Sequence, residues 1–262
     1  MSLEKPLDSL PLWGVFALTV GLVLLAVATS FWLGGRSRRR SEAAQKTPVG
    51  EMVAAMLGLL ALLLAFTFSL AASRFDTRRS LVLDEANAIG TTWLRAGLLP
   101  EPQRTQVRQL LRQYLEVRLE GVRPGQLQQA LARSEALQGQ LWAQAVAVGQ
   151  KEPGSIMVGL FITSLNELID LHAKRIMFGV RTRIPASIWA ALYLVALLSF
   201  GAMGYHVGLS GARKFFAILP LALTFAIVLL LIADLDRSQE GLFRVSQQAL
   251  ADLRSLMVEQ SP

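Results

Sequence analysis

The sequence predicts an all-α integral membrane protein. Its 262 residues are 53% apolar, and the mean hydropathy is +0.43. Four long apolar segments account for this composition, and each is long enough to cross a bilayer as a helix. No stretch alternates apolar and polar residues in the manner of a half-buried strand. We therefore expect four transmembrane helices with a helical extramembrane insert between the second and third.

The apolar segments divide the chain into four parts. The predicted spans are Leu12–Leu33, the start of the stretch Gly50–Arg95, Ile184–Leu209 and Phe215–Ala233. The predicted parts are a first transmembrane pair with a basic connecting loop (1–73), the insert, which continues the second helix (74–184), a second transmembrane hairpin (185–236) and a polar C-terminal tail (237–262).

The second segment has one unusual face. After Glu51 it runs for 22 residues without a charge, to Ser73, and continues without proline to Arg95. At about 100° per residue, a series of small and polar residues falls within about 60° of Glu51. This face, called the stripe below, comprises Glu51, Ala55, Gly58, Ala65, Ser69, Ser73, Asp76, Ser80, Asp84, Asn87 and Thr91, with the bulky exceptions Leu62, Phe66, Leu83 and Leu94.

Two interpretations of the stripe are open. Small residues allow helices to approach closely in lipid, so the stripe could be a packing face. Alternatively, it could line a pore in a homo-oligomer. In that case Glu51 and Asp76 would form acidic rings, and Leu62 and Phe66 a narrow apolar constriction.

The insert is predicted to be helical throughout. Pro100 and Pro102 end the second helix, and helices are expected over Gln103–Glu120, over Gln126–Gly149 and from the potential capping residue Ser155 onward. In the third span, Gly204 and Gly208 form a GxxxG pair, for which the expected use is packing against the fourth span.

The charges of the short loops predict the orientation. Residues 34–49 carry Arg36, Arg38, Arg39, Arg40 and Lys46 against Glu42, and residues 210–214 carry Arg213 and Lys214. The positive-inside rule places these loops in the cytoplasm, and both termini and the insert outside the cell inner membrane. Basic residues that flank the membrane on the insert's side oppose this assignment: Arg74, Arg78, Arg79, Lys174, Arg175, Arg181 and Arg183.

The sequence carries no signal for an enzyme, a cofactor or a metal site. Cysteine is absent and only two histidines occur, His172 and His206, which are too few for a metal cluster. The net charge is +7, but the basic residues are not interleaved with aromatic residues as on a nucleic-acid-binding surface. The expected partners are therefore lipid, inorganic ions and further copies of the chain. His206, near the end of the third span, is either an interfacial anchor or a proton-sensing group.

Charged residues also gather where the fourth span ends. Asp234, Asp236 and Arg237 stand at the membrane edge, on the side where Arg74 and Arg78 leave it. They form either weak solvated pairs or an ionic link between helices or subunits.

Two sequence blocks resemble the bacterial bestrophin-like domain family: RFDTRRSLVLDEANAIGTTWLRAGLLP (Arg74–Pro100) and IADLDRSQEGLFRVSQQAL (Ile232–Leu250). The similarity covers roughly residues 50–255. It implies four transmembrane helices, a helical insert and a homo-oligomer. Bestrophins themselves are pentameric anion channels whose pore is lined by the second helix. The acidic residues of the stripe depart from an anion pathway and favour cations.

Together, the stripe and the resemblance predict a homo-oligomeric ion channel lined by the helix 50–95, with a preference for cations. A pentamer follows from the analogy alone. The alternative is a non-conducting membrane scaffold that presents its helical insert to a partner, in which the stripe serves subunit packing only.

Overall fold

The computed structural model describes residues 10–38, 49–123, 125–210, 218–237 and 241–259. These residues form helices and connecting turns without a strand, which confirms the all-α class for the described chain. The helices are α1 (Leu12–Arg38), α2 (Val49–Ala96), α3 (Gln103–Glu120), α4 (Leu127–Lys151), α5 (Ile156–Ile176, followed by a π-helical turn Met177–Arg181), α6 (Ala186–Ser210), α7 (Ile218–Asp236) and α8 (Gln248–Glu259).

Five of the described helices are long and apolar enough to cross a membrane, judged by length and composition. They are α1, α2, α6, α7 and the segment Ile156–Val180, which contains α5. The predicted count of four is therefore not matched exactly, because α5 was assigned to the insert. It is the least apolar of the five. The basic loop residues 39–48 and 211–217, on which the predicted orientation depends most, lie outside the described residues.

The chain divides into two compact units. The first unit comprises Met1–Arg74 and Arg183–Phe243, and the second comprises Phe75–Thr182 and Arg244–Pro262. The long helix α2 contributes its apolar half to the first unit and its polar half to the second.

In the first unit, α1 and α6 pack backbone to backbone. A Cβ atom added to Gly204 would collide with the carbonyl oxygen of Val27, and one added to Gly208 would collide with that of Phe31. The glycine pair therefore packs against the first span, and the expectation that it packs against the fourth was wrong. The spacing of the glycines indicates a close approach but does not identify the neighbouring helix.

The second unit is built around the polar half of α2. Its core contains Trp93 of α2, Leu111 of α3, Leu141 of α4 and Phe161 of α5, all of them nearly or fully buried. The predicted polar tail includes α8, whose Leu250 is fully buried in the same core.

The start of α5 differs from the prediction in one detail. Ser155 occupies the N-cap position, as expected, but its side chain makes no capping hydrogen bond. Gly154, with φ of +84°, provides the sharp change of direction between α4 and α5.

Candidate functional site

The predicted pore-lining residues share one structural property: each is exposed in the folded chain. In the first unit these are Glu51, Ala55, Gly58, Leu62, Ala65, Phe66, Ser69 and Ser73, and in the second unit Asp76, Ser80 and Asn87. The bulky members are as open as the small ones, because Leu62 is 51% exposed and Phe66 is 65% exposed.

The opposite face of α2 is the one that the chain buries. Val53, Leu60 and Thr67 follow one another at intervals of seven residues and are almost fully buried in the first unit. Arg78 and Glu85, 11 and 18 residues beyond Thr67, lie on nearly the same face in the second unit and are also buried. The hydrogen bond from Ser199 Oγ to the carbonyl oxygen of Met56, 3.4 Å long, joins α6 to this side of α2. Packing within one chain therefore does not explain the stripe.

Asp236, at the end of α7, joins three parts of the first unit. Its Oδ1 atom lies 3.7 Å from Nη1 of Arg74 and accepts a hydrogen bond of 3.0 Å from the backbone N–H of Ile184. Arg183 donates to the backbone carbonyl of Asp236. Both side chains of the ion pair are largely shielded from solvent, with 20% of Arg74 and 11% of Asp236 exposed. The pair thus links the end of the apolar run of α2 to the end of α7.

The other predicted ionic residues bind backbone groups or a ring. Asp234 is buried and accepts hydrogen bonds from the N–H groups of Leu242 and Phe243. Arg237 donates to the carbonyl oxygen of Leu10. The guanidinium of Arg78, in the second unit, lies 6.0 Å from the ring centroid of Phe75. Of the predicted set, the structure brings Arg74 and Asp236 together as an ion pair.

The second unit contains a buried polar cluster that was not predicted from the sequence. Its centre is Glu85, which is fully buried. Arg118 Nε lies 2.9 Å from Glu85 Oε1, Arg175 pairs with Oε2, and the Tyr114 hydroxyl donates to Oε1 at 3.0 Å. The position of Glu85 could have indicated this cluster. On the helical wheel Glu85 lies about 160° from Glu51, and an acidic residue on the buried face of a helix needs a partner.

The cluster also fixes the hydrogen position on His172. The single hydroxyl proton of Tyr114 goes to Glu85, so His172 Nδ1, 3.2 Å from the Tyr114 oxygen, must be the donor in that contact. This assignment follows from the hydrogen-bond network. His172 is thereby a buried structural residue, 3% exposed, that holds Tyr114 in place.

The charges of the cluster explain its protonation. Glu85 lies twelve residues beyond Ser73, past Arg74 and Arg78, and hence outside the apolar run. Burial alone would raise the pKa of Glu85, but attraction to Arg175 and Arg118 outweighs burial and holds that pKa below its usual value. Burial and the neighbouring Glu85 carboxylate raise the pKa of Tyr114, which keeps the hydroxyl as a donor.

At the other end of α2, His206 of α6 lies against Gly50. A Cβ atom added to Gly50 would lie 3.4 Å from both Cε1 and Nε2 of the imidazole. His206, expected near one end of the third span, touches the first turn of α2 with its ring.

The model of the Bestrophin-like domain family matches residues 20–250. The chain belongs to the Bestrophin-like family. This confirms the family resemblance drawn from the two sequence blocks, one of which contains Glu85 and the other Asp234 and Asp236. A comparison with proteins of curated function found no match.

Two solved structures share the fold of this Bestrophin-like protein. A bacterial bestrophin homologue from Klebsiella pneumoniae, which carries a point mutation, has a TM-score of 0.60 at 14% identity, covering 94% of this chain and 99% of that one. A structure described as a variant of a membrane protein has a TM-score of 0.59 at 16% identity, covering 94% and 98%. The family match and the long apolar helices support a multi-pass membrane protein.

Proposed function

We propose that this Bestrophin-like protein is a homo-oligomeric ion channel whose conduction path is lined by the stripe of α2. The observation that carries the proposal is the exposure of every predicted pore-lining residue, on a helix whose opposite face is buried. A polar face that begins inside an apolar run needs water or a neighbouring subunit beside it, because lipid satisfies neither hydroxyl nor carboxylate groups. The bestrophin homologue of the same fold adds weight to the channel interpretation.

The stripe assigns a role to each group of residues. Glu51 and Asp76 form acidic rings at the two ends of the apolar run, and Ser69 and Ser73 offer hydroxyl groups to a partly dehydrated ion. Leu62 and Phe66 form the constriction. Acidic rings concentrate cations at a pore mouth, so the channel prefers cations.

The channel model uses four of the five candidate spans, α1, α2, α6 and α7. Phe161, Leu165 and Leu168 of α5 are fully buried in the core of the second unit, so the apolar character of α5 is explained by protein packing. The positive charge of the short loops favours the cytoplasmic side of a bacterial inner membrane for these loops. The insert and both termini then lie on the outer side.

Current through the purified oligomer in a planar bilayer under a KCl gradient tests the proposal. A reversal potential on the cation side supports the acidic rings, whereas one on the anion side contradicts the preference for cations. Silence at all voltages and pH values, from protein shown to be a stable oligomer, would favour the scaffold alternative.

The absence of cysteine allows a direct test of which face lines the path. In a Ser69→Cys channel, a membrane-impermeant cationic thiol reagent should remove most of the current, because the new thiol stands on the exposed stripe. The matched control is Ala71→Cys, two residues away on the buried face, where Ala71 is 0% exposed. Equal block of both variants, or of neither, would contradict the assignment of the stripe.

A further inference from the structure

His206 holds a position that the proposed channel leaves unused. The chain has two histidines, and His172 is enclosed in the buried cluster of the second unit. His206 is partly exposed, and the Cε1–Nε2 edge of its ring faces the backbone of Gly50. Because Gly50 has no side chain, the imidazole reaches the first turn of α2.

We propose that His206 is the proton-responsive residue at the Glu51 end of the conduction path, through which acidification reduces cation flux. This inference rests on the proposed channel function. Gly50 directly precedes Glu51, so the imidazole contacts the same helical turn that carries the carboxylate of the ring. In a homo-oligomer each subunit repeats the arrangement, and the charges on all copies act on the same mouth.

Few other charges of the described chain stand at this end. On α2, Glu51 is the charged residue of the first turn, and on α1 the last turn carries Arg36 and Arg38. The Arg36 guanidinium lies over the Trp32 ring at 5.6 Å and is held against its own helix. A positively charged imidazole would therefore oppose the attraction that Glu51 exerts on cations.

The sign of the effect follows from the charge. Among the side chains, histidine is the one whose unperturbed pKa lets it gain a positive charge as the pH falls from 8 to 5. Positive charge beside the acidic ring makes the local electrostatic potential less negative, which lowers the local concentration of cations and reduces their entry. Protonation of the acidic rings would reduce cation entry in the same direction, so the His206→Gln variant, rather than the pH range, separates the imidazole from the rings.

The test is cation flux through the full-length oligomer in liposomes between pH 8 and pH 5. We expect wild-type flux to fall about threefold to tenfold over this range, and the His206→Gln channel to keep an almost constant flux. His206→Lys carries a permanent charge and should show low flux already at pH 8. His172→Gln is the control for the other imidazole and should keep the wild-type pH profile.

Two adverse outcomes are distinguishable. If wild type conducts and His206→Gln keeps the wild-type fall in flux, the role of His206 is overturned while the channel stands. If wild-type oligomer is silent at every pH, the channel and this inference are overturned together. Should His206→Gln fail to assemble, His206→Lys decides, because a pH-dependent flux in that variant contradicts the proposal.

Discussion

The Nη1 atom of Arg74 lies 3.7 Å from Oδ1 of Asp236. Arg74 is the first charged residue after the apolar run of α2, and Asp236 is the last residue of α7. The same carboxylate accepts the N–H of Ile184 just before α6 begins. One side chain thus connects the end of the apolar run of α2, the end of α7 and the residues just before α6 in the first unit. Its loss should affect the packing of these helices more than the loss of a surface ion pair would.

Asp236→Asn should lower the free energy of unfolding by about 1–3 kcal/mol, because it leaves a largely shielded guanidinium without its carboxylate. Arg74→Gln should cost a similar amount. If the two residues act as a pair, the double variant should cost less than the sum of the single variants. Thermal unfolding of the three variants in detergent measures this coupling, and strictly additive costs would show that the pair is not coupled.

Glu85→Gln should destabilise the second unit by about 3–5 kcal/mol, since it leaves two buried guanidinium groups facing a neutral amide. Asp84→Asn is the matched control: the same chemical change at the adjacent position, where the side chain is exposed, should cost less than about 0.5 kcal/mol. Denaturant unfolding of both variants provides the comparison. A similar cost for both would mean that the cluster contributes nothing specific.

Glu85 should also give this unit a defined pH dependence. Its pKa is lowered in the folded protein, so the unfolded chain takes up the proton first as the pH falls. The stabilisation is complete above the ordinary glutamate range, near about pH 4.3, and is lost as the pH falls through the lower folded-state pKa. The stability difference between wild type and Glu85→Gln should be constant from pH 8 to pH 6 and shrink only in acid. A difference that changes between pH 6 and 8 would assign the dependence to another group.

Gly204→Leu should prevent normal packing of α1 on α6, because its Cβ alone would collide with the Val27 carbonyl oxygen. Backbone cannot move aside as a flexible side chain can, so we expect the variant to lose its folded oligomer in detergent. Gly21→Leu on α1 is the control, since nothing lies within 4 Å of a Cβ at that position. Size-exclusion chromatography distinguishes them, and an intact Gly204→Leu oligomer would contradict the close helix contact.

The stripe could be predicted from the sequence because it is a property of one helix. Its residues share a face by spacing alone, and the exposure of Ser69 and Asp76 required only that the chain bury the other face. The partner of Gly204 and the surroundings of Glu85 could not be predicted in this way. Arg118 and Arg175 lie 33 and 90 residues from Glu85 in sequence, and only tertiary packing brings them together.

The proposed constriction at Leu62 and Phe66 gives a prediction about pore size. Phe66→Ala should raise single-channel conductance about twofold or more, because it removes the larger of the two apolar side chains that we propose narrow the path. Leu60→Ala, on the buried face, should lower stability by about 2–5 kcal/mol and leave conductance unchanged. Single-channel recording of both variants is the measurement. Unchanged conductance in Phe66→Ala would place the narrow point elsewhere.

Asp76 should contribute to the preference for cations through its charge. Asp76→Asn keeps the size and the exposure of the side chain but removes the acidic ring, so the reversal potential under a KCl gradient should move towards zero. Asp76→Glu retains the charge and should keep the wild-type reversal potential. The effect should weaken at high salt, because exposed charges are screened within about 10 Å at 0.1 M ionic strength. Unchanged selectivity in the Asp76→Asn channel would show that Asp76 does not select cations. Glu51 would then be the acidic residue of the proposed rings to test next.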